Sequence, residues 1–466
     1  MTSTKTRFAP SPTGLMHIGN ARTALFSALF GDRFLLRIED TDQERNRREF
    51  VAELIEDLHW MGLAWDEGPQ TSTPDPEYFQ SQRVPVYRHY YEELERCDLA
   101  YPCYCTQTEL EISRKIQLGS GQPPRYSGKC ARLSEEERQR FTEEGRFPTL
   151  RFRVSPHATV EFEDLVRGPQ KFATSDIGDF IIRRADGSPA FFFCNAVDDS
   201  LMGVTHVVRG EDHLTNTPRQ ILILQALGLG VPRYAHCALI LGDDGAPLSK
   251  RNGSRSINQL RMEGYFPLAL LNMLARLGHH YECDDLMDLT ALKSRFDLSH
   301  LGKSPARFDI AHLDYWQQQT IRTADNETLG QWLRPETRAL VPEDRWVIFL
   351  DMVRSNCVFP DQADQWARIV FGDELQFQPD ALAAAQTTGE SFFLAALDAA
   401  SSAGTEYEQF LSFLKAGTGA RGKNLFMPLR AALTGRLDGP DLGTIYRVLD
   451  THRLHRRLAE FSYASG

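Results

Sequence analysis

Over residues 1–65 the apolar positions alternate between two spacings. Thr6–Ala9 reads as a short strand running into the turn Pro10-Ser-Pro-Thr-Gly14. From Asn20 the pattern changes, and Ala21, Ala24, Leu25, Ala28 and Leu29 recur at helical spacing. Phe34–Ile38 is a compact run of strand type. Phe50, Leu54, Leu58 and Met61 then mark a second amphipathic helix. Strand, helix, strand, helix predicts the opening of a parallel α/β sheet, in which ligands sit at the carboxyl ends of the strands.

The alternation stops near residue 100. Residues 100–190 are rich in charge, turns and short strands, hold a group of cysteines, and read as an insertion. The α/β character returns with Phe191–Val197, Val204–Arg209 and a helix around Pro218–Leu227. From about residue 310 onward the chain reads mainly helical, and Glu374–Ala403 carries many Ala and Leu and few β-branched residues.

Composition narrows the class. A chain of 466 residues exceeds one ordinary core and predicts two to four domains. With 42% hydrophobic and 25% charged residues it has the balance of a folded soluble protein. The longest apolar stretches, Ala190–Val197 and Pro267–Leu274, are too short to span a bilayer, so no membrane partner is expected. The first residues, MTSTKTRFAPSPTG, have no apolar signal core, and the eight cysteines read as reduced thiols, so a cytoplasmic location is expected. A net charge of −11 argues mildly against a nucleic-acid partner, but the charge on one face decides that, not the total.

The segment richest in chemistry is Arg7-Phe-Ala-Pro-Ser-Pro-Thr-Gly-Leu-Met-His-Ile-Gly-Asn-Ala-Arg-Thr-Ala-Leu-Phe26. It reads as a strand, a turn and a helix N-terminus. Gly14 and Gly19 permit close approach of a ligand to backbone. Free N–H groups and the positive dipole end suit phosphate, and His17 can donate to a phosphoryl oxygen as charge grows there. With 13 histidines, about one His-x-Gly is expected by chance, so the triplet alone carries little.

The full segment resembles the HIGH signature of class I aminoacyl-tRNA synthetases, in the Ala-Pro-Ser-Pro-Thr-Gly form of the glutamyl enzymes of bacterial type. Asn20 stands at the fourth HIGH position, where glutamyl enzymes often depart from His. Three further segments match in order. They are Arg37-Ile-Glu-Asp-Thr-Asp42, Asn195–Leu214, and Pro247-Leu-Ser-Lys-Arg251, which resembles the KMSKS-type loop. Read alone, the first is a charged strand end, and the acidic run at Asp198–Asp199 would be solvated. Pro247 replaces the loop's usual first lysine and Asn252 a common His, while Lys250 is retained. A weaker match covers Gly422–Gly435.

The resemblance implies a Rossmann-type parallel-sheet catalytic domain, an inserted α+β acceptor-binding segment and an all-α C-terminal anticodon-binding region. Its expected boundaries are 1–105 and 191–258 for the two catalytic halves, with 106–190 inserted between them. A helical stem-contact region at 259–315 and an anticodon-binding domain at 316–466 follow. The implied activity is that of a glutamate–tRNA ligase. It joins L-glutamate and ATP to glutamyl-adenylate, then passes the glutamyl group to the 3′ end of tRNA-Glu, with tRNA-Gln as a further acceptor. Magnesium comes with the ATP, a monomer is expected, and tRNA is expected to be needed before activation.

The same resemblance puts Arg7, Ala9, Ser11, Glu39, Phe191, Asn195 and Arg209 around glutamate, with Arg7 first for the γ-carboxylate and Glu39 for the α-ammonium. Arginine suits a carboxylate because its planar fork pairs with both oxygens. Phe191 stands where the family commonly has Tyr. The implied ATP residues are His17, Gly19, Asn20, Ser249, Lys250 and Arg251, with His17 and Lys250 acting on the transition state. Cys103-Tyr-Cys105 with Cys130 offers three thiolates, and the alternative is three reduced, half-buried cysteines. Some relatives carry Cys-x-Cys followed by Tyr-x₃-Cys at a structural zinc, which implies Tyr126 as fourth ligand. Arg132 stands where another form has His.

Three rivals share parts of this pattern. A truncated relative that glutamylates a tRNA base lacks the helical C-terminal part. A nucleotidylyltransferase is far shorter. A non-catalytic tRNA-binding paralogue would not need His17, Lys250 and the pocket residues.

In a C-terminal helix, Met352–Cys357 is where the family can discriminate at the anticodon. Asn356 falls near that place, with Arg354 close by, and a relaxed choice of tRNA is the expectation.

Overall fold

The computed structural model describes residues 3–42, 44–71, 75–121, 124–242, 244–248 and 255–462. The chain divides into two compact units. One comprises Met1–Met262 and Leu270–His312, the other Glu263–Ala269 and Leu313–Gly466.

In the first unit, β1 (Lys5–Phe8) leads through the Pro-rich turn into α1 (Ile18–Phe30), which returns the chain to β2 (Arg33–Leu36). The two strands pair in parallel, Lys5 opposite Arg33 and Phe8 opposite Leu36. The helix begins two residues before the start expected at Asn20, with His17 at its N-cap. Of the stripe its sequence period predicts it buries Ala21, Ala24, Leu25 and Leu29 and leaves Ala28 half-buried. Gly31 ends it, where a Cβ would run into the Thr6 hydroxyl and stand 2.7 Å from the Arg33 carbonyl oxygen.

The chain continues through α2 (Arg48–Trp60), α3 (Val84–Arg96), β3 (Ala100–Cys103), α4 (Gln107–Gly119) and α5 (Glu135–Glu143). Next come β4 (Thr149–Phe152), β5 (Thr159–Asp164), β6 (Gly168–Ala173), α6 (Thr174–Ile177) and β7 (Phe180–Arg183). After them follow α7 (Phe191–Leu201), β8 (His206–Gly210), α8 (Thr217–Ala226) and β9 (Arg233–Cys237). Strands β3, β4 and β7 form a separate antiparallel sheet. A second sheet has the order β6-β5-β9-β8, with β8 and β9 parallel. The Thr205 N–H donates to the Lys5 carbonyl at 2.9 Å and brings the start of β8 alongside β1. The carboxyl ends of β1 and β8 thus open on the same side.

Phe191–Val197 forms the first part of α7. Phe193, Cys194 and Val197 pack against Tyr87 and Tyr91 of α3 in one apolar cluster. The second unit is helical throughout its described residues, around a core that includes Phe349, Phe393, Phe410, Leu429 and Tyr446.

Candidate functional site

The carboxyl ends of β1 and β8, the first turns of α1 and α7, and the segment around Leu239–Leu248 enclose a cleft of about 590 Å³. Arg7, Ala9, Ser11, His17, Gly19, Asn20, Glu39, Phe191, Asn195 and Arg209 all line it. Residues scattered over two hundred positions of sequence therefore meet in one place. Ser249, Lys250 and Arg251, together with Asn252, lie outside the described residues. The loop's flanks are fixed at the cleft. Pro247 bridges Leu241, the Leu248 N–H donates to the Ile240 carbonyl at 2.8 Å, and beyond the loop the Ile257 N–H donates to Met16 at 2.9 Å.

The floor is a buried ionic lattice. Arg37 Nη1 donates to Asp199 at 2.8 Å and Nη2 to Glu39 at 3.2 Å. Arg7 Nε donates to the same Asp199 at 3.2 Å. Asp198, the neighbouring carboxylate, accepts from Gln80 at 2.9 Å, Arg83 at 2.8 Å and Tyr87 at 2.6 Å. The acidic run is thus not solvated. Both carboxylates are buried on α7, and each is matched by arginines from other elements. Burial works against the charge on Asp199, yet Arg7 and Arg37 overcome it and hold its carboxyl below the usual range. In Glu39 burial wins and the carboxyl is pushed up, despite Arg37 and Arg7.

The walls are polar and pre-set. Asn195 donates through Nδ2 to Glu39 and accepts from Gln220 Nε2 at 2.9 Å. Arg209 Nη2 donates to Thr217 and Gln220 at 2.8 Å each. Its Nη1 is buried and finds no partner among the described residues. Burial lowers this guanidinium to about 10. Phe191 meets His213 with ring centroids 5.3 Å apart, and burial pushes His213 down to about 4, so it stands neutral in the cleft at pH 7.

Sequence reasoning missed Arg22, Asp212 and His213, which also line the cleft. His213 stands inside the matched segment Asn195–Leu214, which was the available signal. Arg22 is fixed by carbonyls, with Nη1 donating to Leu277 at 3.1 Å and Nη2 to Ala238 at 2.5 Å.

Cys103, Cys105 and Cys130 come together in the first unit, with all three sulfurs within 4.8 Å of one another. The Cys105 and Cys130 sulfurs are 3.6 Å apart, and the Tyr126 Oη lies 3.4 Å from Cys103 and 3.6 Å from Cys105. Around a tetrahedral zinc, sulfurs stand about 3.8 Å apart and a sulfur–oxygen pair about 3.5 Å. These three separations lie near that frame. The Cys130 N–H donates to the Tyr126 Oη at 2.9 Å, which ties this oxygen to the cysteine group.

The family description "tRNA synthetases class I (E and Q), catalytic domain" matches residues 3–315, and "Anticodon binding domain" matches 312–462. The chain is 65% identical over 465 residues to a glutamate–tRNA ligase 1 of Methylococcus capsulatus, covering 100% of both. It is 55% identical to a glutamate–tRNA ligase 2 of Nitrosococcus oceani, covering 98% of each. Among solved structures, a glutamate tRNA ligase of Elizabethkingia meningosepticum in complex with its amino acid superposes with a TM-score of 0.88 at 28% identity over 100% of both chains. The chain belongs to the class I tRNA synthetases of the glutamate and glutamine group, with their catalytic domain followed by an anticodon-binding domain.

Proposed function

We propose that this cleft is where the chain, a glutamate–tRNA ligase, activates L-glutamate with ATP and passes it to the 3′ end of tRNA-Glu. The observation that carries the reading is the pair of poles in one cleft. At one, Arg209 Nη1 is buried and partnerless among the described residues; at the other, Glu39 is a buried carboxylate. A free arginine nitrogen suits a substrate carboxylate, and Glu39 suits an ammonium. Arg7 and Arg209 hold the γ-carboxylate, Glu39 and Asn195 the α-ammonium end, and Ala9, Ser11 and Phe191 the walls.

The glutamate α-carboxylate oxygen attacks the α-phosphorus of ATP. The bond to the bridging oxygen breaks, and pyrophosphate leaves. His17, at the N-cap of α1, donates to the phosphoryl oxygens beside Gly19 and Asn20, and Ser249, Lys250 and Arg251 are assigned to the same phosphates. Magnesium bound to the ATP phosphates offsets their charge. The terminal ribose hydroxyl of tRNA then attacks the glutamyl carbonyl and AMP leaves. No side-chain nucleophile is needed, because positioning and charge supply the rate.

Cys103, Cys105, Cys130 and Tyr126 hold one structural zinc that braces the segment receiving the tRNA acceptor end. The finer division at 1–105, 106–190, 191–258, 259–315 and 316–466, action as a monomer, and a cytoplasmic location belong to the same reading.

The chain also charges tRNA-Gln. Arg354, the arginine nearest the expected discriminating place, donates to Asp351 at 2.6 Å, to the Ala324 carbonyl at 3.2 Å and to Asn326. Asn356 beside it donates to the Met352 carbonyl at 2.9 Å. An arginine so occupied is poorly placed to reject a base.

Pyrophosphate exchange with glutamate, ATP and each tRNA tests the whole reading. Exchange that requires glutamate and tRNA is expected, and its absence with every tRNA would refute it. Charging of tRNA-Glu and tRNA-Gln side by side tests the last step, which strict preference for tRNA-Glu would overturn.

A further inference from the structure

Arg209 reaches the cleft from β8, but the groups that hold it come from other elements. Its Nε–H donates to Nε2 of His236 on β9 at 3.1 Å. The other ring nitrogen, Nδ1, lies 2.6 Å from Oδ2 of Asp164, the last residue of β5. All three side chains are buried. Asp164 spends its second oxygen on backbone, accepting from the Val166 N–H at 3.0 Å, the Arg167 N–H at 2.8 Å and the His236 N–H at 3.3 Å.

This arrangement dictates a direction. A neutral imidazole has one N–H and one lone pair. An ionised carboxylate only accepts, so the Asp164 side must carry the ring proton on Nδ1. Nε2 then bears the lone pair that Arg209, which can only donate, requires. Burial works against the Asp164 charge, but hydrogen bonds from His236 and the backbone hold the carboxyl low. Burial also pushes His236 down, away from the doubly protonated form that would set N–H against N–H. Nη2 of Arg209 is taken by Thr217 and Gln220. Only Nη1 is left over among the described residues, on a side chain that lines the cleft.

We propose that Asp164 and His236 are positioning residues for glutamate binding. They fix the imidazole tautomer that anchors Nε of Arg209, so that Nη1 is presented to a substrate carboxylate. The proposal rests on Arg209 being a glutamate ligand, and it assigns to that ligand a two-residue relay from β9 and β5.

Asp164→Asn tests it with little disturbance. Its oxygen can keep the three backbone bonds, while its amide faces Nδ1 as a donor. The ring then holds its proton on Nε2, against the Arg209 N–H. The expected result is a KM for glutamate raised roughly 10- to 100-fold, the scale of one charge-assisted hydrogen bond. The KM for ATP and the kcat at saturating glutamate should stay within about 3-fold.

A second pair guards against misfolding. His236→Gln can still offer an oxygen to Arg209 and should keep the glutamate KM within several-fold of the parent, while His236→Phe cannot and should raise it like Asp164→Asn. On the unaltered protein, ¹⁵N NMR of the imidazole should show the proton on Nδ1.

Arg209→Gln is measured alongside. If it raises the glutamate KM while Asp164→Asn and His236→Phe do not, the relay is overturned and the glutamate reading survives. If Arg209→Gln itself leaves that KM unchanged, the reading of Arg209 fails, and the relay with it. A proton found on Nε2 in the unaltered protein overturns the relay by itself.

Discussion

Arg37 donates to Asp199 at 2.8 Å with both side chains closed off from solvent. The pair acts as a keystone: the same Asp199 holds Arg7, and the same Arg37 holds Glu39. Surrounding carboxylates raise Arg37 against the opposing effect of burial, so it is charged at every working pH. Removing it leaves buried carboxylates without their cation. Arg37→Met is expected to cost about 3–5 kcal/mol, the range for breaking a buried pair from one side. Urea unfolding measures this; a loss below about 1 kcal/mol would show the lattice to be dispensable.

Phe191 gives a prediction of the opposite sign. Its ring lines the glutamate cleft where the family commonly places a tyrosine. Phe191→Tyr adds one hydroxyl at the wall, and one further hydrogen bond to a charged substrate lowers the glutamate KM by about 3- to 10-fold. Steady-state kinetics at saturating ATP and tRNA read this directly. An unchanged or raised KM would mean that the hydroxyl points away from the substrate.

The cysteine group makes a prediction about metal. The protein as purified should carry about one zinc per chain, and cobalt in its place should show the charge-transfer bands of thiolate ligation. Cys105→Ser should lose the metal. Tyr126→Phe should bind it more weakly while keeping the three sulfurs. Because the site braces a segment and does no chemistry, metal loss should act on tRNA charging more than on the affinity for glutamate. Equal zinc content in Cys105→Ser and the parent would sink the assignment.

Much of the site was legible in sequence because its residues sit inside ordered motifs. Arg7, His17, Glu39, Asn195 and Arg209 were all named there, and all line one cleft. Read alone, the Asp198–Asp199 run would be solvated, and its burial was not legible for a physical reason. Phe191-Phe-Phe-Cys-Asn-Ala-Val is a short, mostly apolar run, and such a run does not distinguish a buried strand from a buried helix. Packing against α3 decided for the helix, and burial of the helix took the two carboxylates with it. Asp164 was illegible altogether. It lies in the segment read as an insertion, and its partner His236 is 72 residues away with no local pattern joining them. Long-range polar contacts of this kind leave no period in the sequence.

Asp57 offers a test of stability rather than activity. It lies on α2, fully enclosed, and neither carboxylate oxygen finds a partner among the described residues. Burial pushes its pKa up to about 7, against the pull of Arg261 and with Glu53 and Glu56 adding to the rise. The folded chain therefore holds this proton more tightly than the unfolded chain, where the group titrates near the ordinary value of about 3.9. Between those two values the folded state is protonated and the unfolded state is not. Stability from this group is full below the lower value and falls as pH rises, at a slope of at most about 1.4 kcal/mol per pH unit, until it levels off above about 7. Asp57→Asn keeps the shape and cannot ionise. It should raise the melting temperature at pH 8 by several degrees and leave it nearly unchanged at pH 4, with the difference growing steadily between. Calorimetric melting of both proteins across that range checks the sign. A substitution that destabilises equally at both ends would show that the Asp57 carboxyl carries a structural bond of its own.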